Sequence, residues 1–79
     1  MPRFYFDHQE NDGVVRKDQE GTDLPDAAAA RQEAAQAAAE WTKDHASEAG
    51  VRLRLIVREG ENSSPIFIVN AVLEIAPTK

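Results

Sequence analysis

The residues with the widest chemistry lie close to the N-terminus. This segment holds four side chains of types that bind metal ions, Asp7, His8, Glu10 and Asp12. Carboxylate and imidazole groups bind metal ions, but neighbouring residues of a strand point to opposite faces. Asp7 and His8 would therefore not meet at one ion, and no second cluster completes a coordination sphere. We predict no metal site.

The other reactive groups show no catalytic arrangement. Ser47, Ser63 and Ser64 have no histidine and carboxylate at a recognisable spacing, and there is neither a cysteine nor a glycine-rich phosphate loop. His45 follows Trp41 by one helical turn, which indicates a hydrogen-bonded histidine at the edge of the core. We predict no catalytic residue, no cofactor and no enzymatic activity.

A row of arginines alternates with aliphatic residues in the second half of the chain. Residues 51–58 read VRLRLIVR, which places Val51, Leu53, Leu55 and Val57 on one face of a strand. The opposite face, with the next strand, is rich in aliphatic side chains although a solvated sheet face should be mostly polar. We predict that this face is an interface formed by Arg52, Arg54, Ile56, Arg58, Ile66, Ile68 and Val72.

The predicted occupant of this interface is a second copy of the chain, giving a homodimer. Two other interpretations stay open. Another protein can cover the face, or the long arginine stems and the twist of the sheet can cover it within the monomer.

The same arginines suggest a different class of function. Arg52, Arg54 and Arg58 would contact a phosphate backbone, with Phe4 or Tyr5 as a stacking platform. A small nucleic-acid-associated or antitoxin-like regulator is therefore the alternative. The formal net charge of −5 disfavours binding to nucleic acid.

The elements that position these residues read in the order ββαββ. Strands are predicted at about 3–9, 14–19, 51–58 and 66–76, and a helix at about 24–49. Asp12-Gly13 predicts a hairpin turn, Asp23 the helix N-cap, and Gly50 the left-handed position after the helix. The helix would pack an alanine-rich stripe on the sheet, anchored by Trp41.

These elements predict one α+β domain over residues 1–79. Its antiparallel sheet would have the strand order 2-1-3-4, with 2-1-4-3 as the open alternative, and the helix would lie on one face. In the second hairpin, paired residue numbers should sum to about 124, so that Leu55 faces Val69.

Length and composition set the broad class. The chain has 79 residues and no cysteine, so the core is small and no disulfide supports it. No apolar segment has the length of a signal peptide core or a membrane span. We predict a cytoplasmic protein that does not contact membranes.

Several short motifs resemble a family of small, uncharacterised bacterial proteins of about this length. Its members typically begin Met-Pro-Arg-Tyr-Phe-Phe. The matching residues are Met1 to Phe6, Asp12-Gly13, Glu20-Gly21, Leu24-Pro25-Asp26, Ala29-Ala30-Arg31 and Glu33-Ala34. Ala27, where leucine is common, and the longer strand 65–76 depart from the family pattern. The resemblance implies a stand-alone bacterial ββαββ domain of unknown function and no particular activity.

Overall fold

A four-stranded antiparallel sheet carries one helix on its inner face. The computed structural model describes residues 1–48 and 50–78. The elements in chain order are β1 (Arg3–Glu10), β2 (Thr22–Asp23), α1 (Ala27–Asp44), β3 (Val51–Glu59) and β4 (Pro65–Leu73). The strand order is β2-β1-β3-β4, which confirms the predicted α+β class and the favoured order and excludes 2-1-4-3.

The β3–β4 hairpin has the predicted register. Leu55 lies opposite Val69, and Leu53 lies opposite Ala71. The register shifts at one irregularity, between Val57 and Arg58. Because side chains alternate along a strand, the odd-numbered residues of both strands face α1 and the even-numbered residues up to that point occupy the outer face.

The core between α1 and the sheet combines small helix residues with large strand residues. Ala30, Ala34 and Ala38 are the buried side of the helix, and Phe4 and Val57 are the largest fully buried side chains. Alanine lets the helix axis approach the sheet, so the strands supply the apolar volume. Trp41 packs against this core while half-buried, as do the inward residues of β4, which include Phe67, Val69 and Ala71.

The helix is shorter than predicted at both ends. Asp26 is the N-cap, and its carboxylate accepts from the backbone N–H of Ala29 at 2.9 Å. The prediction of Asp23 was wrong because the chain is still extended there, where Asp23 belongs to β2 and its carboxylate binds Arg3.

The C-terminal end of the helix was also predicted too far along the chain. The helix ends at Asp44, and His45 is the cap residue. Gly50 does adopt a left-handed backbone, with φ of 70°, but it lies several residues beyond the helix. Ala49, the last residue of the predicted helix, is outside the described residues.

The predicted second strand at 14–19 is wrong. In that segment only Arg16 forms a bridge, with His8, and β2 consists of Thr22–Asp23 instead. The reason is that the Asp18 carboxylate accepts the Phe6 N–H at 3.1 Å, which a second strand would otherwise bind. The preceding turn places Asn11, with φ of 54°, in the left-handed region rather than the predicted Asp12-Gly13 pair.

The fourth strand ends at Leu73, not at Ala76 as predicted. Leu73 lies opposite Val51, the first residue of β3. Beyond that point the neighbouring strand offers no partner.

Candidate interaction surface

The outer face of the sheet divides into a covered region and an open region. The covered region comprises Tyr5, Asp7 and Arg58, which are all buried although they point away from the helix. The open region lies on β3 and β4 and comprises Arg52, Arg54, Ile56, Ile66, Ile68, Asn70 and Val72.

A buried ion pair is the centre of the covered region. The Arg58 Nε and Nη2 atoms donate to the two carboxylate oxygens of Asp7 at 2.8 and 2.9 Å. The side chains are only 6% and 5% exposed. The guanidinium also donates to the backbone carbonyls of Asp18 and Glu61 and lies 5.1 Å from the Tyr5 ring centroid. This bidentate arrangement with further acceptors is what a desolvated arginine requires.

The loop of residues 11–21 closes over this pair and is held by Asp18. The Asp18 carboxylate accepts from the backbone N–H groups of Phe6, Glu20 and Gly21 at 3.0–3.1 Å. The Asp18 N–H in turn donates to Asp7 at 3.0 Å. One residue therefore joins the loop both to the edge of β1 and to the ion pair.

The charge state of these carboxylates follows from their partners. Burial by itself would raise the pKa of Asp7, but the Arg58 hydrogen bond, the Asp18 N–H and the Arg58 charge together lower it. For Asp18 burial likewise opposes ionisation, and hydrogen bonds from three backbone N–H groups lower the pKa below its ordinary value. The hydrogen bond to Asp7 raises the pKa of Arg58. All three groups are charged near neutral pH.

Arg58 therefore does not belong to an exposed interface, and its predicted place in one was wrong. Alternation along β3 correctly predicts that it points to the outer face. What sequence reasoning missed is that the loop folds back over that face. The available signal was Asp7, a charged residue inside an aromatic strand. A carboxylate that is buried there needs a cation or hydrogen-bond donors as partners.

The open region keeps most of the predicted interface residues accessible. Ile66, Ile68 and Val72 are 44%, 49% and 54% exposed. Ile56 is only half-buried on the neighbouring strand, directly opposite Ile68. These four side chains lie on the outer face of β3 and β4, and β4 is an edge strand of the sheet.

Two arginines border the open region. Arg52 makes an exposed ion pair with Asp12 at 2.7 Å, and Arg54 donates to the side-chain oxygen of Asn70 at 3.4 Å. Beside them is an open groove of about 340 Å³, whose lining includes Arg52, Arg54, Asn70 and Val72. The groove is mainly polar and shallow, with no nucleophile paired to a base.

The arginine row predicted for nucleic acid is not continuous. Arg58 is buried against Asp7, and Arg52 is paired with Asp12. Phe4 and Tyr5, the proposed stacking platforms, are 0% and 7% exposed. Neither ring can receive a base in this conformation.

The histidines lie apart from one another and from the outer face. His45 stacks on Trp41 with ring centroids 4.1 Å apart, and its Nδ1 atom is 2.8 Å from the Trp41 carbonyl oxygen. This confirms the expected hydrogen-bonded histidine at the core edge. His8 faces the helix side, opposite Leu55, whereas Asp7 faces outward. Residues 1–48 and 50–78 contain no cluster of three or more potential metal ligands.

In the described part of the chain, no helix is both long and apolar enough to cross a membrane.

Comparison with known proteins identifies a family but no activity. No curated protein and no solved structure is significantly similar to the chain. A family described as "Domain of unknown function (DUF6894)" matches residues 3–72. That range includes the helix, the ion pair, the open region and all the strands except the last residue of β4. The chain belongs to this family of domains of unknown function, in agreement with the resemblance carried by its N-terminal motifs.

Proposed function

We propose that this domain is a non-enzymatic protein-interaction module that self-associates through the open region of its outer face. One observation carries the proposal: Ile66, Ile68 and Val72 are about half exposed on the same face of a strand that contains no charged residue. Full burial of such a side chain contributes roughly 1.5–3 kcal/mol, so covering the remaining half of each contributes about 1 kcal/mol.

The absence of charge from β4 supports a second copy as the occupant. No residue of β4 is charged, and Arg52 and Arg54 border the apolar side chains only on the β3 side. Two copies can therefore bring their β4 strands together without placing like charges opposite each other. The buried ion pair also supports the proposal, because it fixes the covered region and leaves β3 and β4 as the accessible half of the face.

Sedimentation velocity over a concentration series tests the proposal. We expect the wild-type chain to approach twice its 8.7 kDa mass at high micromolar concentration. Ile68→Lys should shift the equilibrium to the monomer, because it introduces a charge into the apolar patch. Val14→Lys is the matched control, since Val14 is 83% exposed in the loop. A wild-type monomer at all concentrations would refute self-association.

A further inference from the structure

The direction of the backbone groups in β4 follows from the hydrogen bonds of β3. The Arg52 N–H donates to the Asn11 side chain at 3.0 Å, and its carbonyl accepts from the Asn11 N–H at 2.8 Å. The N–H and C=O of a strand residue point to the same side, and this side alternates along the strand. Arg52, Arg54 and Ile56 therefore bond toward β1.

The odd-numbered residues of β3 consequently bond toward β4. Their partners include Leu53 with Ala71 and Leu55 with Val69. The residues of β4 that alternate with these partners are Ile68, Asn70 and Val72, and their N–H and C=O groups point to the open edge. No other strand of the described chain lies beyond β4.

From Phe67 to Leu73 this edge lacks the usual protection against pairing. Natural edge strands carry charged residues, interior prolines or bulges that prevent association with another strand. β4 reads PIFIVNAVL, in which proline occurs only at the first position and no residue is charged. Its one register shift against β3 lies at Ile66, before the segment from Ile68 to Val72. On the inner side, Phe67, Val69 and Ala71 are also only half-buried by the helix. Both faces of β4 therefore offer apolar surface next to the unpaired edge.

We propose that two copies associate by antiparallel pairing of β4 with β4, centred on Asn70, to form one continuous eight-stranded sheet. This inference rests on the proposed self-association and specifies its geometry. The residues whose N–H and C=O groups point to the open edge are symmetric about Asn70, so all of them form pairs in this register. Ile68 of each copy lies opposite Val72 of the other, and the two Asn70 residues face each other.

The side chains fit this register. Directly opposite residues in a hydrogen-bonded antiparallel pair have Cα atoms about 5.5 Å apart, close enough for Ile68 to contact Val72 of the second copy. The side-chain oxygen of Asn70 accepts a hydrogen bond from Arg54, so the side-chain NH₂ group of Asn70 can donate to the second copy across the symmetry axis. A polar residue on the symmetry axis specifies register, because a shifted register would place it against an aliphatic side chain.

Amide hydrogen exchange by NMR distinguishes this geometry from face-to-face packing. We expect the amides of Ile68, Asn70 and Val72 to become protected as the protein concentration rises through the association range. In a mixture of isotope-labelled and unlabelled chains, Hα of Val69 should show an intermolecular NOE to Hα of Ala71. Dimers with neither signal would overturn the edge pairing but leave self-association intact, and a wild-type monomer would overturn both.

Substitution at the axis gives an independent test. Asn70→Lys should weaken the dimer about tenfold or more, because two lysines would face each other across the axis next to Arg54. Asn62→Lys in the exposed β3–β4 turn makes the same change in net charge and should leave the dissociation constant unchanged. Circular dichroism verifies that both variants fold. Equal dissociation constants for the two variants would contradict the proposed axis.

Discussion

Replacing Asp7 by asparagine tests whether charge pairing holds the covered region together. The Asp7 side chain is 5% exposed and accepts both Arg58 hydrogen bonds as well as the hydrogen bond from the Asp18 N–H. Asparagine preserves the shape and one acceptor oxygen. Its NH₂ group would face the guanidinium, so one donor of Arg58 would lose its acceptor and the buried cation would lose its counter-ion.

The expected cost is large relative to the stability of the domain. Breaking a buried ion pair by removing one partner costs about 3–5 kcal/mol, because an uncompensated charge stays buried. At roughly 0.05–0.15 kcal/mol per residue, a domain of this size has a total free energy of unfolding of about 4–12 kcal/mol. Asp7→Asn should therefore remove about a quarter of the stability or more.

Urea unfolding followed by Trp41 fluorescence measures this change at a protein concentration where the chain is monomeric. Asp12→Asn is the matched control, because it makes the same chemical change in the pair with Arg52, where the Asp12 side chain is 93% exposed. We expect the control to cost no more than about 0.5 kcal/mol. Equal destabilisation by the two substitutions would refute the reasoning from burial.

A double variant separates charge pairing from side-chain volume. Asp7→Leu with Arg58→Met removes both charges and retains apolar bulk. Such replacements of a buried pair are often neutral or stabilising, so the double variant should unfold at a higher urea concentration than Arg58→Met alone. A double variant whose destabilisation equals the sum of the two single effects would show that the two side chains are not coupled.

Two further predictions concern the same loop. The pKa values of Asp7 and Asp18 are lower in the folded chain than in the unfolded chain, so the unfolded chain takes up protons first on acidification. The contribution of the two carboxylates to stability should be present above about pH 4 and lost as the pH falls further. Acid titration followed by circular dichroism measures this loss, and Asp7→Asn should make it less steep. Gly21→Ala should destabilise more than Gly50→Ala in urea unfolding. Both glycines have φ near 70°. A Cβ at Gly21 would lie 2.7 Å from Arg3 Cγ and 2.9 Å from Tyr5 Cε2, whereas a Cβ at Gly50 would meet no atom within 4 Å. Equal losses would show that the Tyr5 side of the loop tolerates displacement.

Local sequence patterns predicted the parts of the fold that depend on periodicity. Alternation in residues 51–58 and 66–73 was sufficient to assign the two faces of the β3–β4 hairpin, because a one-residue slip would have reversed the apolar faces. The absence of glycine and proline from the alanine-rich stretch was sufficient for the existence of the helix. Its ends were misplaced because Asp23 and Asp26 are both good caps by residue type, and the pairing of β2 with β1 decided between them.

The covered region depended on contacts between residues far apart in the chain. Asp7 and Arg58 are separated by 51 positions, and no local periodicity specifies how β1 aligns with β3. The loop containing Asp18 was predicted as a strand, because its composition permits one and its tertiary hydrogen bonds are not visible in the sequence.

The sequence by itself therefore determined the α+β class, the faces of the β3–β4 hairpin and the apolar, uncharged character of β4. Periodicity and residue type specify these features within a short segment. Only the tertiary structure decided that Arg58 is buried, that Asp18 joins the loop to β1, and that the N–H and C=O groups of Asn70 point to an open edge. Each of these depends on which strands are neighbours, and strand order is a property of the whole sheet.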